Sequence, residues 1–285
     1  MAAALLSNDA EIPFTSQYFE TVASFDWRRH GAEELRQAYR ERGFLFLRGL
    51  LDRDRVLALR RRYFEMFDPA LLRPGTSPED GLYSGHWPDA LPPHGTEGHP
   101  AYLLVRSASF QNFADSEELR SLSETLLDGP VVRLLRAPLR HFIKGRPCAS
   151  RAHIDFTYLD GGREDVVTLW ISIGDCPIEA GGLVYLEHSS DLDLDALRDA
   201  MPRDRGWDRR PITHDLKALS DRTGRRWQFA DIRAGDVLLH SPFVVHASLN
   251  TMTDLMRVSV DIRYALAHGG VDARWANHWS ANDGY

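Results

Sequence analysis

A mainly β chain buttressed by helices on its N-terminal side, an α+β class, is what the sequence predicts, and three observations carry that expectation. The second half holds short segments of alternating polarity. The clearest is Val166 to Ile173, where Val167, Leu169, Ile171 and Ile173 fall on one face and Thr168, Trp170 and Ser172 on the other. The first half holds apolar residues at helical spacing. Finally, His153 and Asp155 form a His-x-Asp pair in a stretch that reads as extended, where residues two apart point the same way.

In chain order, residues 1 to 30 carry Phe14, Tyr18, Phe19, Phe25 and Trp27 with little periodicity, which predicts an irregular arm packed on the body. From Ala32 to Arg42 the positions of Leu35, Ala38 and Tyr39 predict a helix that Gly43 stops. Phe44 to Arg48 reads as a buried strand. Asp52 can cap a second helix whose apolar stripe is Val56, Leu57, Leu59, Tyr63, Phe64 and Phe67, with Arg53, Arg55, Arg61 and Arg62 facing water. Between Pro69 and Pro100 the composition shifts to Pro, Gly and His. A stretch of that length without secondary structure fits a lid or a plain surface loop equally. His86, His94 and His99 have no regular ligand spacing and are not read as a second metal site.

Ser116 to Leu127 and Val131 to Leu135 read as helical, and Leu139 to Lys144 as a strand on which Arg140 and Lys144 share a face. Gly181-Gly182 turns into a strand over Leu183 to Leu186. The segment Asp191 to Arg226, with a short acidic helix and the run Arg203 to Arg210 containing Trp207, fits a second lid or a solvated connection. Trp227 to Arg233, Val237 to His240, Val244 to His246 and Arg257 to Tyr264 complete the strands. Pro242 bends the chain between His240 and His246, so His240 is expected in the core beside the site. Arg274 to Trp279 is aromatic enough to dock on the body. One domain over 1–285 is expected, with a helical part at 1–138 and a β core at about 139–270.

The chain has 285 residues, 43% of them hydrophobic and 26% charged, which is enough to bury a substantial core. Its net charge of −7 argues against a nucleic-acid or anionic-membrane surface. Cys148 and Cys176 make neither a disulfide framework nor a zinc motif. With no basic, apolar leader at the start and no span-length apolar run, the expectation is a cytoplasmic protein without membrane or nucleic-acid partners, acting on a small molecule.

The chemistry is carried by His153, Asp155 and a third ligand far downstream, His246. Two His and one carboxylate on one face of an ion, with the other positions open, is the arrangement of non-haem Fe(II) oxygenases. Arg257 follows His246 by 257 − 246 = 11 residues, and Ser259 falls on the same strand face as Arg257. A guanidinium fork beside a hydroxyl suits a dicarboxylate.

Together these segments resemble the phytanoyl-CoA dioxygenase family of Fe(II)- and 2-oxoglutarate-dependent oxygenases. The resemblance runs through Tyr39-Arg40-Glu41-Arg42-Gly43-Phe44-Leu45-Phe46-Leu47-Arg48-Gly49, His153-x-Asp155-x-x-Tyr158, Gly181-Gly182-Leu183, and Gly235-Asp236 to Arg257-x-Ser259. It implies a double-stranded β-helix, the jelly-roll or cupin-like core, with Fe(II) on His153, Asp155 and His246. It also implies 2-oxoglutarate on the iron, with its distal carboxylate at Arg257 and Ser259, and O2 at the remaining site. Comparable strands line the cosubstrate pocket, so Arg140, Lys144, Thr168 and Tyr158 are candidates there; an outward basic face for the first two and a core ring for Tyr158 fit as well.

Hydroxylation is the default outcome, oxidative cyclisation or desaturation needing only a different fate for the substrate radical; with Asp155 present, halogenation is not expected. Where the family often has Pro-Gly-Ser-His, this chain reads Glu187-His188-Ser189-Ser190, near where substrate lies. His188, Trp170 and Trp207 are the substrate candidates, and the Arg, His and Trp of the two lids suggest a polar molecule, glycosidic or anionic. The similarity is greatest to bacterial members that tailor secondary metabolites, including antibiotics. A cupin-type metal-dependent hydrolase or isomerase, and a non-catalytic binding barrel, are the alternatives.

Overall fold

The computed structural model describes residues 4–146, 149–159, 163–203 and 210–283. The chain opens on a hairpin of β1 (Ala4–Ser7) and β2 (Ala10–Pro13), turned at Asn8, which takes the left-handed conformation that Asn tolerates. β3 (Phe19–Thr21) and β4 (Ser24–Asp26) follow, so the expected irregular arm is instead a run of strands. Each has three or four residues, too few for an alternating pattern; β3 finds its partner only in the strand Trp227–Phe229, far along the chain, and β4 pairs with the strand Phe44–Arg48 across the helix between them. α1 (Ala32–Arg42) ends as predicted at Gly43, whose φ is 76° and whose amide donates to the Tyr39 carbonyl. β5 (Phe44–Arg48) and α2 (Arg53–Phe64) follow, and the Asp52 carboxylate accepts from the Arg55 amide as its cap.

Three helices, α3 (Pro100–Arg106), α4 (Ala108–Ala114) and α5 (Glu117–Leu127), precede β6 (Val131–Leu134) and β7 (Leu139–Phe142). β6 corrects the helical reading of 131–135. Asp128 ends α5 in the left-handed region, Pro130 follows, and the β-branched Val131 and Val132 then pair antiparallel with a long C-terminal strand. Beyond lie β8 (Val166–Ser172), β9 (Leu183–Leu186), α6 (Leu194–Ala200), α7 (Leu216–Thr223), β10 (Trp227–Phe229), β11 (Val237–His240), β12 (His246–Ser248) and β13 (Arg257–Leu266).

The larger sheet runs β4-β5-β11-β8-β13-β6, with β7 also paired to β13, and the smaller runs β12-β9-β10-β3. The alternation read over Val166 to Ile173 decides what each face meets. Val167, Leu169 and Ile171 pack with Leu45, Leu239, Val260 and Ile262 against the apolar stripes of the helices, including Leu35, Val56, Leu59 and Leu122. The opposite face turns toward the smaller sheet. There Trp170, Phe44 and Leu238 share a core with Leu183 and Tyr185, and Phe44 stacks on Tyr185 with ring centroids 4.4 Å apart. Two facing sheets with helices on the outer side make the mixed α+β class that the sequence predicts and the double-stranded β-helix that the resemblance implies. β3 and β5, from the first fifty residues, enter the two sheets, so the N-terminal part is interleaved with the barrel.

The Pro-rich segment after α2 is tied down by backbone bridges Leu72 to Tyr83 and Leu82 to Leu255. Trp275 and Trp279 are buried on the body, as expected for the C-terminal aromatic run. No helix among the described residues is long and apolar enough to cross a membrane.

Candidate active site

At one end of the barrel His153 and His246 exchange both backbone hydrogen bonds, each amide 3.0 Å from the other's carbonyl. Asp155 does not continue a strand, as the sequence reading had it. Ile154 is still extended, but Asp155 opens a short 3-10 turn to Tyr158, so His153 and Asp155 keep a common side while the chain bends away after them. The imidazole Nδ1 atoms are both spent on carbonyls, His153 on Arg151 at 2.6 Å and His246 on Val244 at 3.0 Å. With Nδ1–H donating there, each Nε2 keeps a bare lone pair, and these stand 3.8 and 3.7 Å from Asp155 Oδ1.

The other oxygen of Asp155 is held elsewhere. Oδ2 accepts from Thr168 Oγ1 at 2.7 Å and from Arg263 Nη2 at 2.8 Å, and His240 Nε2 lies 3.4 Å from it. Burial pushes His246 well below the ordinary imidazole range, helped by His153 and His240 and opposed by Asp155; burial also lowers His153. Burial alone raises Asp155, but the Arg263 guanidinium, with His240 and His246, outweighs it and holds the carboxyl well below its usual range. Two neutral imidazoles and one carboxylate, with ligand atoms within 4.8 Å of one another, form the protonation state and spacing that a divalent ion requires.

Deeper between the sheets, Arg257 is buried with its guanidinium 3.7 Å over the Phe142 ring and a hydrogen bond to the Gly181 carbonyl. Ser259 lies on the same face, and its Oγ is buried without a hydrogen-bond partner among the described residues. An orphaned hydroxyl beside a buried guanidinium is a place for a carboxylate.

Residues 39–259 match the family model for phytanoyl-CoA dioxygenase (PhyH). The chain belongs to that family. It is an Fe(II)- and 2-oxoglutarate-dependent oxygenase, with His153, Asp155 and His246 as its iron triad. No curated protein matches this PhyH member by sequence. Among solved structures it is similar to the non-heme alpha ketoglutarate dependent epimerase SnoN from nogalamycin biosynthesis, at 21% identity over 83% of either chain and a TM-score of 0.56. The carbocyclase SnoK from the same biosynthesis aligns at 19% identity over 86% of this chain and 88% of its own, TM-score 0.57. EctD from S. alaskensis aligns at 16% identity over 88% and 82%, TM-score 0.58. At these identities the likeness is one of fold.

A cavity of about 370 Å³ opens beside the triad of this PhyH enzyme, with His153 and Asp155 in its wall and Arg140, Tyr158, Arg210 and Arg263 around them. Tyr158 sets its ring edge-on to His153 at 5.3 Å, and the Arg210 guanidinium lies 4.8 Å over the Tyr158 ring. Arg140 bonds Asp261 at 2.5 Å.

Other candidates are placed differently. Thr168 serves Asp155, and Trp170 packs inside the barrel 5.7 Å from the Arg257 guanidinium, away from the cavity wall. Lys144 lies apart from the site: β7 stops at Phe142, so strand parity no longer governs position 144, and its ammonium pairs with Asp254 at 3.3 Å. His188 also lies apart, in a separate depression with Glu20, Arg42 and Glu187, because its left-handed backbone turns it away. Trp207 lies outside the described residues. Sequence reasoning missed Arg263, although the parity that selects Ser259 from Arg257 extends through Asp261 to Arg263.

Proposed function

We propose that this enzyme hydroxylates or oxidatively cyclises a small polar secondary metabolite carrying anionic or glycosidic groups, with release of succinate and CO2. The observation that carries the reading is the pairing of the triad's bare Nε2 and Oδ1 atoms with an adjoining cavity whose wall is rich in guanidinium groups. Iron and 2-oxoglutarate, once bound, activate O2 so that one oxygen atom goes to succinate and the other is available to the substrate.

The chain's own residues supply the rest. Arg263 and Thr168 fix Asp155 by its distal oxygen, and the two backbone carbonyls fix the histidine rings. Arg257 and Ser259 hold the far carboxylate of 2-oxoglutarate through a charge-assisted pair of hydrogen bonds in a site closed to water. Arg140, Arg210 and Tyr158 offer donors to the substrate's oxygens and orient it in the cavity. That SnoN and SnoK come from nogalamycin biosynthesis supports the choice of substrate class.

The test is anaerobic. Fe(II) followed by 2-oxoglutarate is expected to give a weak visible charge-transfer band, and Arg257→Ala should raise the 2-oxoglutarate concentration for half-saturation by roughly 10–100-fold, the worth of a hydrogen bond to a charged group. Iron bound without the band, or equal half-saturation in the two proteins, would sink the cosubstrate assignment. Succinate release stimulated by polar, anionic candidates and not by apolar ones supports the substrate class; stimulation by apolar ones alone overturns it.

A further inference from the structure

A second group of histidines lies outside the iron triad. His94 and His99 come from the Pro-rich segment and His141 from β7. The fold brings the three rings together with one nitrogen of each within 4.8 Å of the others. Ring centroids are 4.8 Å apart for His94 to His99 and for His94 to His141, and 5.7 Å for His99 to His141. Spacing does not foretell the cluster, since His141 lies 141 − 99 = 42 residues beyond His99.

The bonds that each ring already makes decide which lone pairs are left. His94 Nε2 donates to the Leu139 carbonyl at 2.9 Å, so Nδ1 carries a lone pair, and that atom is buried without a hydrogen-bond partner among the described residues. His141 Nδ1 meets the Tyr63 hydroxyl, and when it donates there its Nε2 is bare as well. Orientation of a ligand ring by a carbonyl or hydroxyl on its far nitrogen is how metal-binding histidines are held. His99 differs. Its Nδ1 accepts from the Ala101 amide at 3.0 Å, capping α3, so its Nε2 holds the proton until a metal displaces it or the cap is released.

We propose that His94, His99 and His141 form a second metal site, selective for a borderline ion such as Zn2+, anchored by His94 and His141 with His99 as the third ligand. Three imidazoles without thiolate or carboxylate suit zinc and its neighbours rather than Mg2+ or Ca2+. Nitrogens around zinc lie about 3.4 Å apart for bonds of about 2.1 Å, so an ion draws the rings together by a modest rotation. Such an ion ties the Pro-rich segment to the sheet beside the substrate cavity, because His94 also stands in that cavity's wall.

The test counts zinc. After saturation with Zn2+ and gel filtration, wild type is expected to hold two equivalents per chain by mass spectrometry. His246→Ala should hold one, and so should the double variant His94→Ala, His141→Ala, whose folding is checked by its retained Fe(II) and 2-oxoglutarate band. His99→Ala should keep the second zinc with affinity reduced less than in either other single variant. A single equivalent in wild type, or a second equivalent that survives loss of both His94 and His141, overturns the site. If the double variant does not fold, wild-type crystals soaked in Zn2+ decide: an anomalous peak among the three rings supports the assignment, and a peak at the triad alone or elsewhere refutes it.

Discussion

Asp155 divides its two oxygens between tasks. Oδ2 is given to Thr168 and Arg263, which leaves Oδ1 as the atom facing the two imidazoles. Arg263→Leu therefore removes the charge that keeps the carboxyl ionised in a buried site, and Fe(II) affinity should fall about 10–100-fold, as for comparable partners of metal ligands. Thr168→Val should move it in the same direction by less. Competition against a chromophoric chelator measures both, and unchanged affinity in the Arg263 variant would remove the role assigned to it. The triad was legible in the sequence because residue type and spacing suffice to specify it. Arg263 was not, because parity marks four polar residues on one face of β13 alike, and only the turn after Ile154 determines which of them Asp155 meets.

Among the elements, α2 is clamped to the strand ends by Arg60. Arg60 is 1% exposed and donates to the carbonyls of Ile173 at 2.7 Å, Met256 at 2.9 Å and Glu79 at 2.7 Å, at the end of β8, just before β13 and in the Pro-rich segment. Burial lowers its pKa to about 10, so it stays charged at neutral pH. Arg60→Met leaves those carbonyls without donors and should destabilise the fold by about 3 kcal/mol or more, whereas the exposed Arg61→Met should change it by under about 1 kcal/mol. Urea denaturation compares them, and equal midpoints would mean that the clamp contributes nothing. In the sequence Arg61 and Arg62 read as facing water and Arg60 falls in line with Val56 and Tyr63, but helical periodicity cannot see carbonyls left bare at strand ends. α1 was legible to its last residue because the stop at Gly43 is local. β6 was not, because Val131 to Leu134 becomes a strand only through the partner it finds in β13.

At the scale of the whole molecule, the site lies where strands, bridges and the Pro-rich segment converge, so occupancy should be felt throughout. A ligand at about 100 times its Kd adds about 2.7 kcal/mol to the folded state. For a chain of this size that is a rise in Tm of roughly 4–5 °C. Fe(II) should produce such a rise, 2-oxoglutarate should add to it only when Fe(II) is present, and His246→Ala should abolish both. A rise with 2-oxoglutarate alone would place the cosubstrate away from the metal. The architecture was legible in outline, since the alternation over Val166 to Ile173 already separated the helix-covered face from the inner one. The joining of the Pro-rich segment to β7 was not, because it depends on contacts between residues far apart in the chain.

The bridge between His153 and His246 has a further consequence, in time rather than in energy. The two amides are 246 − 153 = 93 residues apart, and each is locked on the other's carbonyl. Their protons can trade with heavy water only while that end of the barrel is open. The same parting separates the ligands, so isotope uptake at two backbone hydrogens times how often the triad itself comes apart.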